Sequence, residues 1–251
     1  MSTIRISIAG KGGTGKTTMA ALLVNYLVNK KVGPVLAVDA DPNANLNELL
    51  GEEVEITLGE IKNQLRSAST SEGMVRADFV EFKLHQAIIE GRGYDLIVMG
   101  QPEGPGCYCA AHFFLSQSLE KLMKNYSYLV IDNEAGMEHL SRLNLLEMEH
   151  LIVVSDASMR GILTAARIAD LIKPLQITVK NLWLIVNRAP AEPPEELVNY
   201  AKKTAEEHKL NFLGFLPEDA MILQYEVRRT PVWNWNSFLK ERAFELFSKV
   251  F

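Results

Sequence analysis

Apolar residues fall in short runs along this chain, with stretches of helical spacing between them. Ile4, Ile6 and Ile8 alternate with polar neighbours and predict a first strand. Val35–Val38, Leu96–Met99, Tyr128–Ile131, Leu151–Val154 and Leu182–Val186 are rich in Val, Ile and Leu and read as strands buried on both faces. Phe212–Leu216 is a shorter, final one. Helical patterns follow the first strand (Met19, Leu22, Leu23, Tyr26, Leu27) and precede the fourth (Phe113, Phe114, Leu119, Leu122). Residues 51–92 carry the weakest pattern and read as one or two helices with a polar loop at Ser67–Gly73. The tail Phe238–Phe251 puts Leu239, Ala243, Leu246, Phe247 and Val250 on one face and predicts a terminal helix packed on the core. Strand and helix alternating in this way predict an α/β fold: a doubly wound, mostly parallel sheet flanked by helices, as one domain over residues 1–251. Ligands then gather at the carboxyl ends of the strands.

Composition narrows the function classes. The chain has 251 residues, 47 % of them hydrophobic, enough for a sizeable core. A net charge of −5 argues against nucleic acid as the main partner. No apolar run approaches the roughly 18–20 residues of a membrane span. The first strand begins within four residues of the start, which leaves no room for a secretory signal. The expectation is a soluble, cytoplasmic protein with no membrane and no nucleic-acid partner.

Chemistry concentrates where strands end. Gly10-Lys11-Gly12-Gly13-Thr14-Gly15-Lys16-Thr17-Thr18 contains the phosphate-binding pattern G-x-x-x-x-G-K-[ST], between a strand and a helix as that pattern requires. Its glycines let the backbone aim N–H groups at phosphate oxygens, and the helix adds its positive dipole end. Asp39 and Asp41 lie just past the second strand, and Asp132 ends another. Asn187-Arg188 follows Leu184-Ile185-Val186, and Pro217 follows Gly214-Phe215-Leu216.

Lys11 adds a second lysine that the ordinary loop does not need. With it, the nine residues resemble the deviant Walker A loop of the family of MinD, ParA, the nitrogenase iron protein, ArsA and CooC. The resemblance implies an ATPase using ATP and magnesium. It implies that Lys16 reaches the β- and γ-phosphates, that Thr17 holds magnesium, and that Lys11 crosses a homodimer interface to the partner's nucleotide. It places Asp39 in or behind the magnesium shell. Asp41 then orients the attacking water, and Asp132 is the Walker B aspartate. Asn133-Glu134-Ala135-Gly136 becomes the switch that senses the γ-phosphate, though Asn133-Glu134 is more polar than most versions. Asn187 and Arg188 resemble the family's adenine contact, and Pro217 its loop bordering the base.

The two cysteines, Cys107 and Cys109, flank one tyrosine. They follow a Gly- and Pro-rich loop and precede a helical pattern, where the helix dipole favours the thiolate that binds metal. Zinc, nickel, copper(I) and iron–sulfur centres are all candidates for such a pair. Two thiolates leave a tetrahedral site half empty, and a two-fold homodimer completes it with two from each chain. His112 is a further donor by position, although its plainer reading is a helix-surface histidine. A deviant Walker A loop with Cys-Tyr-Cys ahead of the Walker B strand resembles the CooC and AcsF nickel-insertion ATPases. Ala135-Gly136-Met137-Glu138-His139-Leu140 resembles CooC's Ala-Gly-x-Glu-His-Leu. That resemblance implies a metallochaperone delivering nickel, or zinc in its place, with a carbon monoxide dehydrogenase or acetyl-CoA synthase as client. A MinD- or ParA-like positioning ATPase and an iron–sulfur carrier remain as alternatives.

Overall fold

The computed structural model describes residues 3–67, 76–100, 117, 119–134 and 146–251. Among these residues eight strands are β1 (Ile4–Gly10), β2 (Val35–Asp39), β3 (Ile89–Glu90), β4 (Tyr94–Val98), β5 (Tyr128–Asp132), β6 (Glu147–Asp156), β7 (Thr178–Ala189) and β8 (Asn211–Pro217). They form one sheet in the order β3-β4-β2-β5-β1-β6-β7-β8. Every neighbouring pair is parallel except β3–β4. The expected doubly wound, mostly parallel sheet is therefore the observed one.

The helices are α1 (Lys16–Lys30), α2 (Leu46–Leu50), α3 (Leu58–Ser67), α4 (Arg76–Gln86), α5 (Met159–Asp170), α6 (Glu195–Glu207), α7 (Met221–Val227) and α8 (Phe238–Phe247). Residues 119–123 are also helical, as the Leu119 and Leu122 spacing predicts. The weakly patterned stretch 51–92 yields α3 and α4 as read, with Ser67 closing α3 rather than opening a loop. It also yields β3, which the helical reading of this stretch misses. A two-residue strand has no period to announce it. β6 and β7 outrun their apolar cores because their polar ends pair with each other, Glu147 opposite Thr178 and His150 opposite Asn181.

Strand periodicity divides the core between the two faces of the sheet. Ile6, Ile8, Ala37, Val130 and Ile152 pack with α1, α2 and α8. Leu36, Val38, Leu129, Ile131, Leu151 and Val153 pack with α3, α4, α5 and α6. In α1 every residue from Met19 to Leu27 is buried, so the helix is enclosed rather than amphipathic. Its polar members find partners: Asn25 Nδ2 donates to the Val232 carbonyl at 3.2 Å, and the Tyr26 hydroxyl donates to the Phe251 carbonyl at 3.3 Å. α8 is capped by Ser237, whose hydroxyl accepts the Lys240 N–H at 3.2 Å. It buries Leu239, Ala243, Leu246 and Phe247, and the Phe244 and Phe247 rings meet Tyr26 edge to face at 5.3 and 5.8 Å. Each such buried large side chain stabilises the fold by about 1.5–3 kcal/mol. The tail is thus a terminal helix packed on the core, as its pattern predicts. Among the described residues no helix is long and apolar enough to cross a membrane.

Candidate functional site

β1 ends at Gly10 and α1 starts at Lys16, so the loop between them turns within five residues. Gly10 is obligatory there: a Cβ would sit 2.3 Å from the Val154 carbonyl oxygen. Gly15 caps α1 in the left-handed conformation, φ 92°, and its Cβ would lie 2.5 Å from Asn187 Nδ2. The Thr14 hydroxyl donates to the Lys11 carbonyl at 2.9 Å, and Asn187 Nδ2 donates to the Thr14 carbonyl at 2.9 Å. Lys16 is buried, with Nζ donating to the Lys11 carbonyl at 3.3 Å. Lys11 itself is exposed and is not among the residues that line the loop's own cavity.

Two carboxylates meet at the ends of adjacent strands. Asp39 of β2 lies in register with Asp132 of β5. Both are buried, yet their surroundings differ. Asp39 Oδ1 accepts the Asp41 N–H at 3.1 Å, and Oδ2 accepts the Leu46 N–H at 2.9 Å. Burial pushes this carboxyl up to about 6, while those N–H groups work against the rise. Asp132 has no hydrogen-bond partner for either oxygen among the described residues. Burial pushes it up to about 7; the Thr17 hydroxyl and Lys16 oppose this, and Asp39 and Asp41 add to it. A bare, buried carboxylate beside a hydroxyl and a lysine is expensive without a ligand. This oxygen-rich donor set suits a magnesium ion and its waters.

Asp41 lines the same cavity, its Oδ1 accepting from the Asn43 backbone N–H (2.9 Å) and side-chain amide (3.0 Å). Asn133 is not among the residues that line this cavity. Its side chain donates to Ser7 Oγ at 2.5 Å and to the Ile8 carbonyl at 2.7 Å, tying β5 to β1. Of the four residues read as a switch, Glu134 lines the cavity, and Ala135 and Gly136 lie outside the described residues.

The phosphate-loop cavity holds about 610 Å³ and runs from Gly12–Thr18 to Asp41, Glu134 and the end of α7. A second cavity of about 640 Å³ adjoins it, lined by Asn187, Arg188, Pro217 and Ile222 among others. Gly15, Thr18, Arg188 and Glu226 line both, so the pair forms one continuous groove. Arg188 reaches it from a left-handed conformation, φ 55°, where the pairing of β7 with β8 slips between Val186 and Ala189. A bulge of this kind re-aims a side chain. Asn187 is buried and keeps Oδ1 without a partner among the described residues. Sequence reasoning missed the outer wall, made by Glu48 on α2 and by Tyr225, Glu226, Arg229 and Thr230 around the end of α7. No motif marks those positions.

Cys107, Cys109 and His112 lie outside the described residues. Among the described residues no group of three His, Cys, Asp or Glu is placed to hold a metal.

A phosphate loop on β1, acidic residues ending β2 and β5, and a groove across the sheet's carboxyl edge define a P-loop NTPase. The chain belongs to the CobQ/CobB/MinD/ParA nucleotide-binding domain family, CbiA, whose model matches residues 6–232. It is an ATP-binding, ATP-hydrolysing member of that family. An uncharacterized ATP-binding protein of Methanocaldococcus jannaschii is 39 % identical over 98 % of this chain and 97 % of its own. The carbon monoxide dehydrogenase accessory protein CooC of Rhodospirillum rubrum is 29 % identical over 98 % of this chain and 96 % of its own. Among solved structures, the septum site-determining protein MinD of Pyrococcus horikoshii, complexed with Mg-ADP, shares the fold with a TM-score of 0.70. It is 23 % identical and covers 99 % of this chain and 96 % of its own.

Proposed function

We propose that this ATPase is a metallochaperone: ATP binding joins two copies, and hydrolysis is coupled to delivery of nickel to a client enzyme. The reading is carried by the end-to-end likeness to CooC together with the Cys107-Tyr108-Cys109 tripeptide. The client is then a carbon monoxide dehydrogenase or acetyl-CoA synthase. Burial of the α8 apolar face argues against the runner-up, a MinD-like ATPase held to a membrane by its tail, because that face is already spent on the core.

In this reading Lys16 and the N–H groups of Gly12–Thr18 hold the phosphates. Thr17 and Asp132 hold magnesium, which neutralises phosphate charge. Asp39, its oxygens occupied by backbone N–H groups, stands behind that shell and fixes the loop from Asp41 to Leu46. Asp41 orients the attacking water. Asn187 Oδ1, without a partner among the described residues, accepts from the adenine amino group, and Arg188 and Pro217 border the base. Lys11, exposed beside its own cavity, reaches the nucleotide of the second copy.

Nickel is the cargo. Two thiolates per chain fill half a tetrahedral site, so Cys107 and Cys109 of two chains share one ion. Titration of reduced protein with nickel should saturate at about half an equivalent per chain and shift the chain towards dimer. The double variant Cys107→Ser/Cys109→Ser should lose that binding and keep ATP binding. One tightly held nickel per monomeric chain, or undiminished binding in the double variant, overturns the proposal.

A further inference from the structure

The groove's outer wall carries a cation that neither the loop motif nor the base pocket accounts for. Arg229 follows α7 and lines the phosphate-loop cavity, on the side away from the base. Its guanidinium makes no hydrogen bond or ion pair among the described residues, although Glu48 and Glu226 line the same cavity. The backbone around it is fixed. The Arg229 N–H donates to the Glu226 carbonyl at 3.0 Å, and the Thr230 N–H to the Tyr225 carbonyl at 2.8 Å. These two bonds close α7 as a Schellman turn, with Arg229 left-handed at φ 49° in the position where glycine is cheapest.

Conformation alone does not single it out, since Lys31, Gln176 and Lys209 are also left-handed. None of those lines the groove. The turn bearing Arg229 is also braced from behind. Tyr225 stacks on Trp235 at 5.4 Å, and the Trp235 indole donates to the Thr230 carbonyl at 2.7 Å. A guanidinium carried on a braced backbone turn, without a partner among the described residues, beside a phosphate loop matches phosphate oxygens in charge and in its planar fork.

We infer that Arg229 is a nucleotide-binding residue, contacting the phosphates of the ATP bound by its own chain. The inference rests on ATP binding by this family and not on nickel delivery. The test uses the full chain at a concentration where it is monomeric, comparing wild type with Arg229→Gly and Arg229→Lys. Competition against a fluorescent ATP analogue reads the affinities of ATP, ADP and adenosine.

Arg229→Gly should weaken ATP about tenfold, the usual worth of one hydrogen bond to a charged group. Arg229→Lys should fall between it and wild type, because it keeps the charge and loses the fork. Adenosine affinity should stay within twofold in both. Without nucleotide, Arg229→Gly should melt no lower than wild type, since glycine relaxes the left-handed turn. That readout separates a lost contact from a damaged fold. ATP affinity unchanged in both variants overturns the inference, as does equal weakening of adenosine, which would put Arg229 on the base. Normal binding by the monomer with loss of the ATP dimer alone would assign the guanidinium to the second copy, and also overturns it. Failure of wild type itself to bind ATP would strike at the ATPase reading instead.

Discussion

At the amino ends of the strands, polar groups are matched to partners. Glu149 accepts the Arg5 N–H at 2.8 Å and the Lys180 ammonium at 3.2 Å, and the Trp183 indole donates to His150 Nδ1 at 3.0 Å. At the carboxyl ends the same sheet leaves Asp132 buried, its oxygens without a hydrogen-bond partner among the described residues, next to Asp39, Thr17 and Lys16. The first arrangement is what a fold needs. The second costs stability, and a chain keeps such a cost where a ligand offsets it. The contrast locates function without a motif: Glu149 and His150 serve the fold at one end, and Asp132 is held ready at the other.

The largest effects should come from the carboxyl end. Lys16→Ala should weaken ATP binding about a hundredfold, by removing a buried charge-assisted contact. Asp41→Asn should keep ATP affinity within about threefold and lower turnover about a hundredfold, the ordinary worth of a group acting on the reacting water. Equilibrium binding and phosphate release measure the two separately. Native turnover in Asp41→Asn would remove Asp41 from the chemistry.

Asp132 gives a test of opposite sign. Its carboxyl is raised to about 7 by burial, so between about pH 4 and 7 the folded chain holds a proton that the unfolded chain has released. Stability without ligand should therefore fall as pH rises through that window. Asp132→Asn removes the buried charge and should stabilise the ligand-free protein at pH 8 by about 1–3 kcal/mol, while abolishing hydrolysis. Magnesium with ATP should raise the melting temperature of wild type more than that of the variant. A variant that melts lower than wild type at pH 8 would show that Asp132 is a structural group like those at the other end.

The smallest effect belongs to the amino end. Trp183→Phe breaks the bond to His150 and should cost about 1–2 kcal/mol in denaturant unfolding, with ATP turnover unchanged. His150 is held below the ordinary histidine range by burial. It is neutral in the fold, so stability should be lost as pH falls through the ordinary histidine range. A loss of turnover in Trp183→Phe at intact stability would blur the division between the two ends.

What the sequence disclosed follows the same division. The phosphate loop and the two strand-end aspartates were legible because their spacing is dictated by a phosphate's size and by where strands stop. Asn187 was legible as a site residue, but not as the brace that bonds the Thr14 carbonyl, because nothing local ties positions 173 residues apart. Asn133 reads as part of a switch from sequence, and its bonds to Ser7 and the Ile8 carbonyl on β1 are invisible there, because nothing local ties those positions together. The outer wall with Arg229 was illegible for a different reason. Its residues are gathered by the packing of Tyr225 and Trp235, and no spacing in the chain encodes that.

We propose that ATP bound at the carboxyl end of the sheet drives release of a metal held by the cysteines. Nickel-loaded protein mixed with magnesium and ATP in the presence of a colorimetric chelator measures that coupling directly. The rate of nickel transfer should rise about tenfold with ATP, an ordinary magnitude for coupling between two sites, and should not rise in Asp41→Asn. Nickel leaving at the same rate with and without ATP would contradict the claim.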